Sequence, residues 1–569
     1  MFMITLMLLG GIGARLSYLQ LVQGDRHRQL ADNNRVRLIP RPPERGRITD
    51  RKGRILAGNR ISYAVFLWPI ANQESEWDPI VQRLAKILNI PAAEIQNRLE
   101  QAGYYSPSLV RIARGVSPSK LTALAEFNQE LKGVQVQAEA VRNYPHGDLA
   151  AHVIGYTGEL NDEDLEKREE QGYRLGDVIG QMGVEAAFEP RLRGEWGGQQ
   201  VEVDGAGRVL RVLGEKSAKA GHNVTLTLDL DVQHAAEVAL GDRKGAIVAI
   251  DPHNGAVLAM VSRPAFDPNI FSTHITDGQW QQLQSKDFPF VNRALQGYPP
   301  ASTFKIVTTT AAIESGRFSS HAVLPTYPFL TIGGIQFWDW NRAGFGALDF
   351  TGALAFSSDT FFYQTAVRMG EKSLIHWTRR FGFGRKTGIE LSAEEAVGLV
   401  PDGSWKAAEL SEPWYVGDTV NMSIGQGYLQ ASPLQVAVMF AIAANGGYWV
   451  KPHLLKDDEK AHAWKEPLDI DPETMRVIQQ GLRQVITRGT GKALNVAGLP
   501  AIAGKSGTAE DPPRKSHAWF GAYAPANNPE ITVVAFAENS GGGGGSVAAP
   551  MVRQVLEAYF KGTQRHGLK

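Results

Sequence analysis

The chain has 569 residues, more than one ordinary domain holds, and its 43% hydrophobic content is enough for sizeable cores. Its 59 basic and 59 acidic residues leave no excess positive charge, which argues against a nucleic-acid partner. With no cysteine, disulfides and thiolate metal sites are excluded; the 13 histidines show no His-Glu-x-x-His spacing, so neither a metal nor a cofactor is expected.

Residues 1–14 are apolar apart from Thr5, Arg15 interrupts the run, and Leu16, Leu19, Leu21 and Val22 extend it. Taken alone the run is short of the ~20 apolar residues that span a bilayer, and it lacks the basic start of a cleaved signal peptide. Pro40 to Pro43 mark an exit from this segment. Thr49-Asp50-Arg51-Lys52-Gly53 predicts a turn between short strands. Helices are predicted over Trp77–Asn89, from Ile80, Val81, Leu84, Ile87 and Leu88, over Pro91–Ala102 with proline at the first position, and over Leu121–Leu131. Val134–Val141 and Gln199–Val212 predict strands. His146 and Asp148 have no third partner in sequence and read as a loop. Nothing before residue 220 looks catalytic.

A polar junction, Glu215–Gly221, opens the second half of the chain. Val224–Leu228 alternates as a strand, and Asp231 starts a helix. Ala246–Ile250 and Val257–Val261 flank an Asn254-Gly255 pair, predicting a hairpin with a tight turn. Ala518–Tyr523 and Ile531–Phe536 are two further strands. Strands at both ends with helices between them predict an α+β domain, an antiparallel sheet covered by helices. Gly541–Gly545 reads as a mobile lip of a cleft or a plain flexible connector. Trp338, Trp340 and Trp414 read as core aromatics or as the lining of a peptide groove.

Three ordered motifs carry the chemistry. Ser302-Thr303-Phe304-Lys305 comes first, Ser357-Ser358-Asp359 second, and Lys505-Ser506-Gly507-Thr508 third. A helix from Ser302 to Gly316 puts Lys305 on the face of Ser302, so the hydroxyl gains a nearby base at the positive end of the helix dipole. A lysine accepts a proton only when neutral, which burial or a neighbouring cation favours; Lys505 is expected to be that cation. Ser357 can relay a proton to a leaving amine. Lys505 and Thr508 can hold a substrate carboxylate, and the backbone N–H groups of Ser302 and Thr508 can form an oxyanion hole. Two decoys exist. Ser117-Pro118-Ser119-Lys120 reads as a loop or helix start, and Lys386-Thr387-Gly388 as a loop after a helix rather than a strand beside a nucleophile.

These motifs, together with Arg45–Gly53, Asp359–Gln364, Gly417-Asp418-Thr419 and Gly425-Gln426-Gly427-Tyr428, resemble the monofunctional (class B) penicillin-binding proteins of the elongation-type penicillin-binding protein 2 branch, over about residues 25–560. The resemblance implies a peptidoglycan D,D-transpeptidase that cross-links stem peptides through a serine acyl-enzyme and is inhibited by β-lactams. Ser302 would be the nucleophile, Lys305 the base and Ser357 the relay. Asp359, Lys505, Ser506, Gly507 and Thr508 would bind substrate. It also implies a single uncleaved anchor over 1–23, its beginning expected to be missing, a non-catalytic dimerisation-like pedestal over 24–220, and a transpeptidase domain over 221–569. The catalytic part would lie on the periplasmic side of the inner membrane, with a SEDS glycosyltransferase as partner. Glu185, Arg191 and Arg193 fall in what resembles an interdomain linker and are expected to form structural salt bridges. The second motif departs from the commoner Ser-x-Asn: Asp359 can accept a hydrogen bond, but whether it also donates one is open. Two rival readings remain. One is a β-lactamase or D,D-carboxypeptidase on the same fold; the other is a penicillin sensor or scaffold.

Overall fold

The computed structural model describes residues 2–18, 20, 36–106, 109–160, 162–173, 177–203, 209–272, 275–458, 460 and 463–566. Two compact units emerge: residues 1–47, 58–143 and 190–223 form one, and residues 48–57, 144–189 and 224–569 the other.

In the first unit, Gly197–Val203 lies between Val36–Arg41 and Val209–Lys216 in an antiparallel sheet. The predicted strand over Gln199–Val212 is therefore two strands. Residues 58–67 pair antiparallel with Val134–Asn143, and Val65–Leu67 also pairs with Val110–Ala113. Helices Trp77–Leu88, Ala92–Ala102 and Pro118–Glu126 bury Ile80, Val81, Leu84, Ile95, Leu99 and Leu124 against Val65 and Leu67. The third helix starts and ends earlier than predicted, because Pro118 supplies a helical φ at its first turn. The expected anchor over 1–23 falls partly outside the described residues. Helix Phe2–Ser17 has 16 residues, and among the described residues no helix is long and apolar enough to cross a membrane.

The second unit is built on one sheet. Its elements in chain order are α1 (Leu230–Leu240), β1 (Gly245–Ile250), β2 (Val257–Arg263), α2 (Lys305–Glu314), α3 (Phe350–Phe356), α4 (Asp359–Met369), α5 (Pro433–Asn445), β3 (Ala503–Ala509), β4 (His517–Ala524), β5 (Ile531–Ala537) and α6 (Gly544–His566). The strand order is β2-β1-β5-β4-β3, antiparallel throughout, with β3 at an edge. All seven residues of β5 are buried, as a strand covered on both faces requires. On one face Val232 and Leu240 of α1 and Val552 and Leu556 of α6 meet Phe520 and Val533. Each such side chain contributes roughly 1.5–3 kcal/mol on burial. On the other face α5 is buried along twelve residues, from Pro433 to Ala444. Gly521 admits Phe440 there: a Cβ at that position would lie 2.0 Å from the Phe440 ring.

The β1–β2 hairpin is present, with 251–256 as its connection, and Gly255 (φ +81°) there passes so close to the Lys451 carbonyl that a Cβ would come within 2.2 Å of it. Two local expectations change. The strand at 224–228 shortens to Val224–Thr225, with Asp229 capping α1. Gly541–Gly545 is not a loose connector throughout, since Gly544 begins α6 and a Cβ there would stand 2.1 Å from the Trp519 carbonyl and 2.6 Å from that of Gly507. The predicted turn after Thr49 is present and structural. Buried Asp50 accepts from the backbone N–H groups of Lys52 and Arg54, while both side chains reach Asp229 and Asp231 at the head of α1. Asp148 pairs with Arg263, and His146 reaches the Ile55 carbonyl at 3.1 Å, which is structural bonding rather than a catalytic pair.

Candidate active site

Ser302 lies in a 3₁₀ turn, Ala301–Phe304, and α2 begins only at Lys305. The predicted helix therefore starts late. Ala301 has φ +52°, a left-handed value that a regular helix start does not allow and that costs on the order of 1–3 kcal/mol. Its N–H donates to the Gly425 carbonyl at 2.8 Å, and Gly425 has no room for a side chain because a Cβ would sit 2.2 Å from the Ala301 carbonyl. The 3₁₀ geometry preserves the chemistry, since residues three apart eclipse in such a turn. Lys305 thus stays on the side of Ser302. The Ser302 hydroxyl is partly exposed, while Lys305 is 0% exposed.

The second motif meets the first at Lys305. Its Nζ donates to the Ser357 carbonyl at 2.9 Å, to Ser357 Oγ at 3.3 Å and to Asp359 Oδ1 at 2.7 Å. Asp359 also accepts the Trp340 N–H at 3.3 Å. Position 359 thus acts here as an acceptor and as counter-ion to Lys305, a role the sequence did not suggest. Ser357 occupies the break between α3 and α4 with φ +57°, and this left-handed conformation aims its carbonyl and hydroxyl at the same ammonium.

The third motif arrives on the edge strand. Lys505 is fully buried and donates to Ser357 Oγ at 2.8 Å and to the Ser506 carbonyl at 3.0 Å. One hydroxyl therefore accepts from two lysines. Both its lone pairs are engaged, and its hydrogen is left to donate into the cleft. Burial first, and then the Lys305 charge, push the Lys505 ammonium well below its ordinary range, with Asp359 opposing. In this structure Lys305 holds the carboxylate partner, and Lys505 carries the pressure to lose its proton. Thr508 is exposed; its Oγ1 accepts the Gly544 N–H at 3.3 Å, leaving its own hydrogen for an anion. Ser506 Oγ is engaged with Thr490 Oγ1 at 2.6 Å, and a Cβ on Gly507 would stand 3.2 Å from the Ala301 and Thr303 side chains, so the strand runs tight against the Ser302 turn.

The decoys lie elsewhere. Lys120, in helix Pro118–Glu126, donates to the Leu88 carbonyl, and the buried Thr387 gives its N–H and hydroxyl to Glu395. Glu185 is buried and accepts from the Tyr144 hydroxyl. Trp338 and Trp340 are surface residues, 43% and 57% exposed, rather than core. Trp414 is half-buried and donates to Thr419. Sequence reasoning missed Asp339 altogether. It is fully buried and bonded to Ser358 and Thr360, and a lone aspartate between two tryptophans gives no pattern to find it by.

The penicillin-binding protein transpeptidase domain matches residues 245–557, and the penicillin-binding protein dimerisation domain matches 40–226. Peptidoglycan D,D-transpeptidase MrdA of Acinetobacter baumannii is 35% identical over 580 residues, covering 96% of this chain and 85% of that protein. Penicillin-binding protein 2 of Helicobacter pylori, solved in complex with MreC, superposes with a TM-score of 0.84 at 27% identity, over 92% of this chain and 99% of that one. A chain from a peptidoglycan synthase complex that coordinates polymerisation and cross-linking superposes at 0.73, with 32% identity over 98% and 97% of the two chains. The two matched domains and this identity over nearly the whole length show that the chain belongs to the class B penicillin-binding proteins, in the penicillin-binding protein 2 (MrdA) branch.

Proposed function

We propose that this chain is a peptidoglycan D,D-transpeptidase that works through an acyl-enzyme on Ser302. The observation that carries the reading is the convergence of Lys305 and Lys505 on the single Ser357 hydroxyl beside the Ser302 turn. Ser302 Oγ attacks the carbonyl of a terminal D-alanyl peptide bond and gives up its proton to Lys305. The oxyanion is held by the backbone N–H groups of Ser302 and Thr508. The proton passes through Ser357 to the departing amine, and D-alanine leaves. An acceptor amine then attacks the ester, its proton returns by the same route, and Ser302 is regenerated as the cross-link forms. The substrate carboxylate sits at Lys505 and Thr508. Its negative charge favours the protonated form of Lys505.

Replacing Lys505 by Ala, or Thr508 by Val, is expected to weaken recognition of carboxylate-bearing β-lactams, while Lys386→Ala and Thr387→Val leave acylation nearly unchanged. Second-order acylation rates distinguish the two sets, and the opposite pattern would assign the carboxylate site to the wrong Lys-Ser/Thr-Gly.

The region over 24–220 is proposed as a docking pedestal, the segment over 1–23 as a single-pass anchor in the inner membrane, and the transpeptidase region as lying on the periplasmic side. A cross-linker requires glycan strands, and among its described residues the pedestal carries no cluster resembling a polymerase site. The proposed partner is a SEDS-family glycosyltransferase, a reading supported by the likeness to a chain of a complex that couples polymerisation to cross-linking. The purified chain alone is expected to form no glycan from lipid-linked disaccharide-peptide, and the two proteins together to form cross-linked polymer. Polymer made by this chain alone, or partner binding unchanged after deletion of residues 1–220, would overturn the partnership. Polymer that stays uncross-linked would overturn the transpeptidase reading.

A further inference from the structure

Asp339 is the most deeply placed carboxylate near the site, and the reaction as described makes no use of it. It is 0% exposed and follows the hairpin of Phe329–Ile332 and Ile335–Trp338, where its own N–H is fixed to the Pro328 carbonyl at 2.9 Å. Its Oδ2 accepts three bonds, from Ser358 Oγ at 2.7 Å, from the Thr360 N–H at 2.9 Å and from Thr360 Oγ1 at 2.9 Å. Oδ1 accepts the Asn341 N–H at 3.2 Å. The three Oδ2 donors are the two residues that bracket Asp359, at the first turn of α4. An anion is favoured there by the helix dipole and by free backbone N–H groups.

The consequence falls on Ser357, one residue earlier. Ser357 is held left-handed between the last turn of α3 and the first turn of α4. On the α3 side its N–H donates to the Leu354 carbonyl, and the Ser358 N–H donates to that of Ala353. On the α4 side, Ser358 Oγ caps the helix by accepting the Phe361 N–H, and it donates its hydrogen to Asp339. The next residue along the same loop, Trp340, donates its N–H to Asp359, the counter-ion of Lys305. One short segment therefore fixes both residues to which Lys305 donates. We propose that Asp339 is a positioning residue for acyl transfer. It locks the start of α4 so that Ser357 stays in the left-handed conformation that presents its hydroxyl to both lysines. Asp339 touches neither substrate nor the reacting atoms, and its effect runs through Ser358 and Thr360. The inference rests on the reading of Ser357 as proton relay.

The test uses the full chain and a chromogenic β-lactam, resolving non-covalent binding from the acylation rate constant in pre-steady-state kinetics. Wild-type acylation, measured first, tests the reading of the site. The ratio of variant to wild type tests Asp339. Asp339→Asn keeps the size of the side chain but offers an N–H to Ser358 in place of an acceptor. Asp339→Ala removes every bond. In protein whose cooperative unfolding shows it folded at the assay temperature, the acylation rate constant is expected to fall roughly tenfold or more in Asp339→Ala, by less in Asp339→Asn, with binding within about twofold of wild type. A merely structural role would lower the melting temperature and the titratable active fraction while leaving the rate constant of that fraction unchanged. If Asp339→Ala does not fold, Asp339→Asn decides alone. A rate constant within about twofold of wild type in the folded variant overturns the proposal, as does a loss confined to binding.

Discussion

Ser302→Ala is expected to abolish covalent labelling by β-lactams and leave the fold intact. The side chain is partly exposed at the head of α2, and removing one hydroxyl leaves no cavity in the core. The turn is held by bonds that do not involve the hydroxyl: the Ala301 N–H to the Gly425 carbonyl, and Thr303 Oγ1 to that of Pro300. Loss of labelling therefore reports loss of the nucleophile and not of structure. Intact-mass spectrometry with peptide mapping reads the adduct directly, and its lifetime in the wild type separates a transpeptidase from a hydrolase. Labelling that persists in folded Ser302→Ala would remove Ser302 from the reaction and with it the proposed acyl-enzyme.

Lys305→Ala should slow acylation by roughly 10² to 10⁴-fold, the usual worth of general acid–base assistance. Lys305 also neutralises Asp359, so alanine removes a charge as well as a base. Lys305→Arg separates the two roles. A guanidinium can keep the ion pair with Asp359, but it cannot give up its proton. If Lys305 is the base, both variants are slow. If Arg restores the rate, Lys305 acts only as a cation and the base lies elsewhere, with Lys505 the next candidate because burial and its neighbour already drive it towards the neutral form. Single-turnover acylation rates, corrected for active fraction, settle which.

The sheet and the three motifs were legible because each rests on local pattern. Apolar runs at 245–250, 257–263, 517–524 and 531–537 are strands in a sheet buried on both faces, where length and β-branched or aromatic content suffice. Spacing sufficed for Ser302 and Lys305, because a 3₁₀ turn and an α-helix both place residues three apart on one side. What stayed hidden depends on neighbours distant in the chain. Asp359 became a counter-ion only because Lys305 lies against it, and the pressure on Lys505 comes from its burial first and then from Lys305, 200 positions earlier in the sequence. Ala301 gives no sign of its left-handed backbone, since alanine usually avoids it. Gly544 read as a linker because five glycines in a row have no side-chain pattern, and only the carbonyls of Trp519 and Gly507 reveal why one of them must be glycine.

The order of strands across the sheet also says when this protein can come into being. β1 and β2 are made early, yet β1 lies directly beside β5, among the last strands to be synthesised, and the lysine of β3 comes long after Ser302. At a ribosomal speed of ~5–20 residues per second, some tens of seconds separate the emergence of Ser302 from that of Lys505. Throughout that interval the half-built domain has an open strand edge, and the Ser357 hydroxyl lacks the second of its two lysines. Pairing of such distant segments is intrinsically slow. The stage most exposed to aggregation or proteolysis is therefore the wait for the final hundred residues.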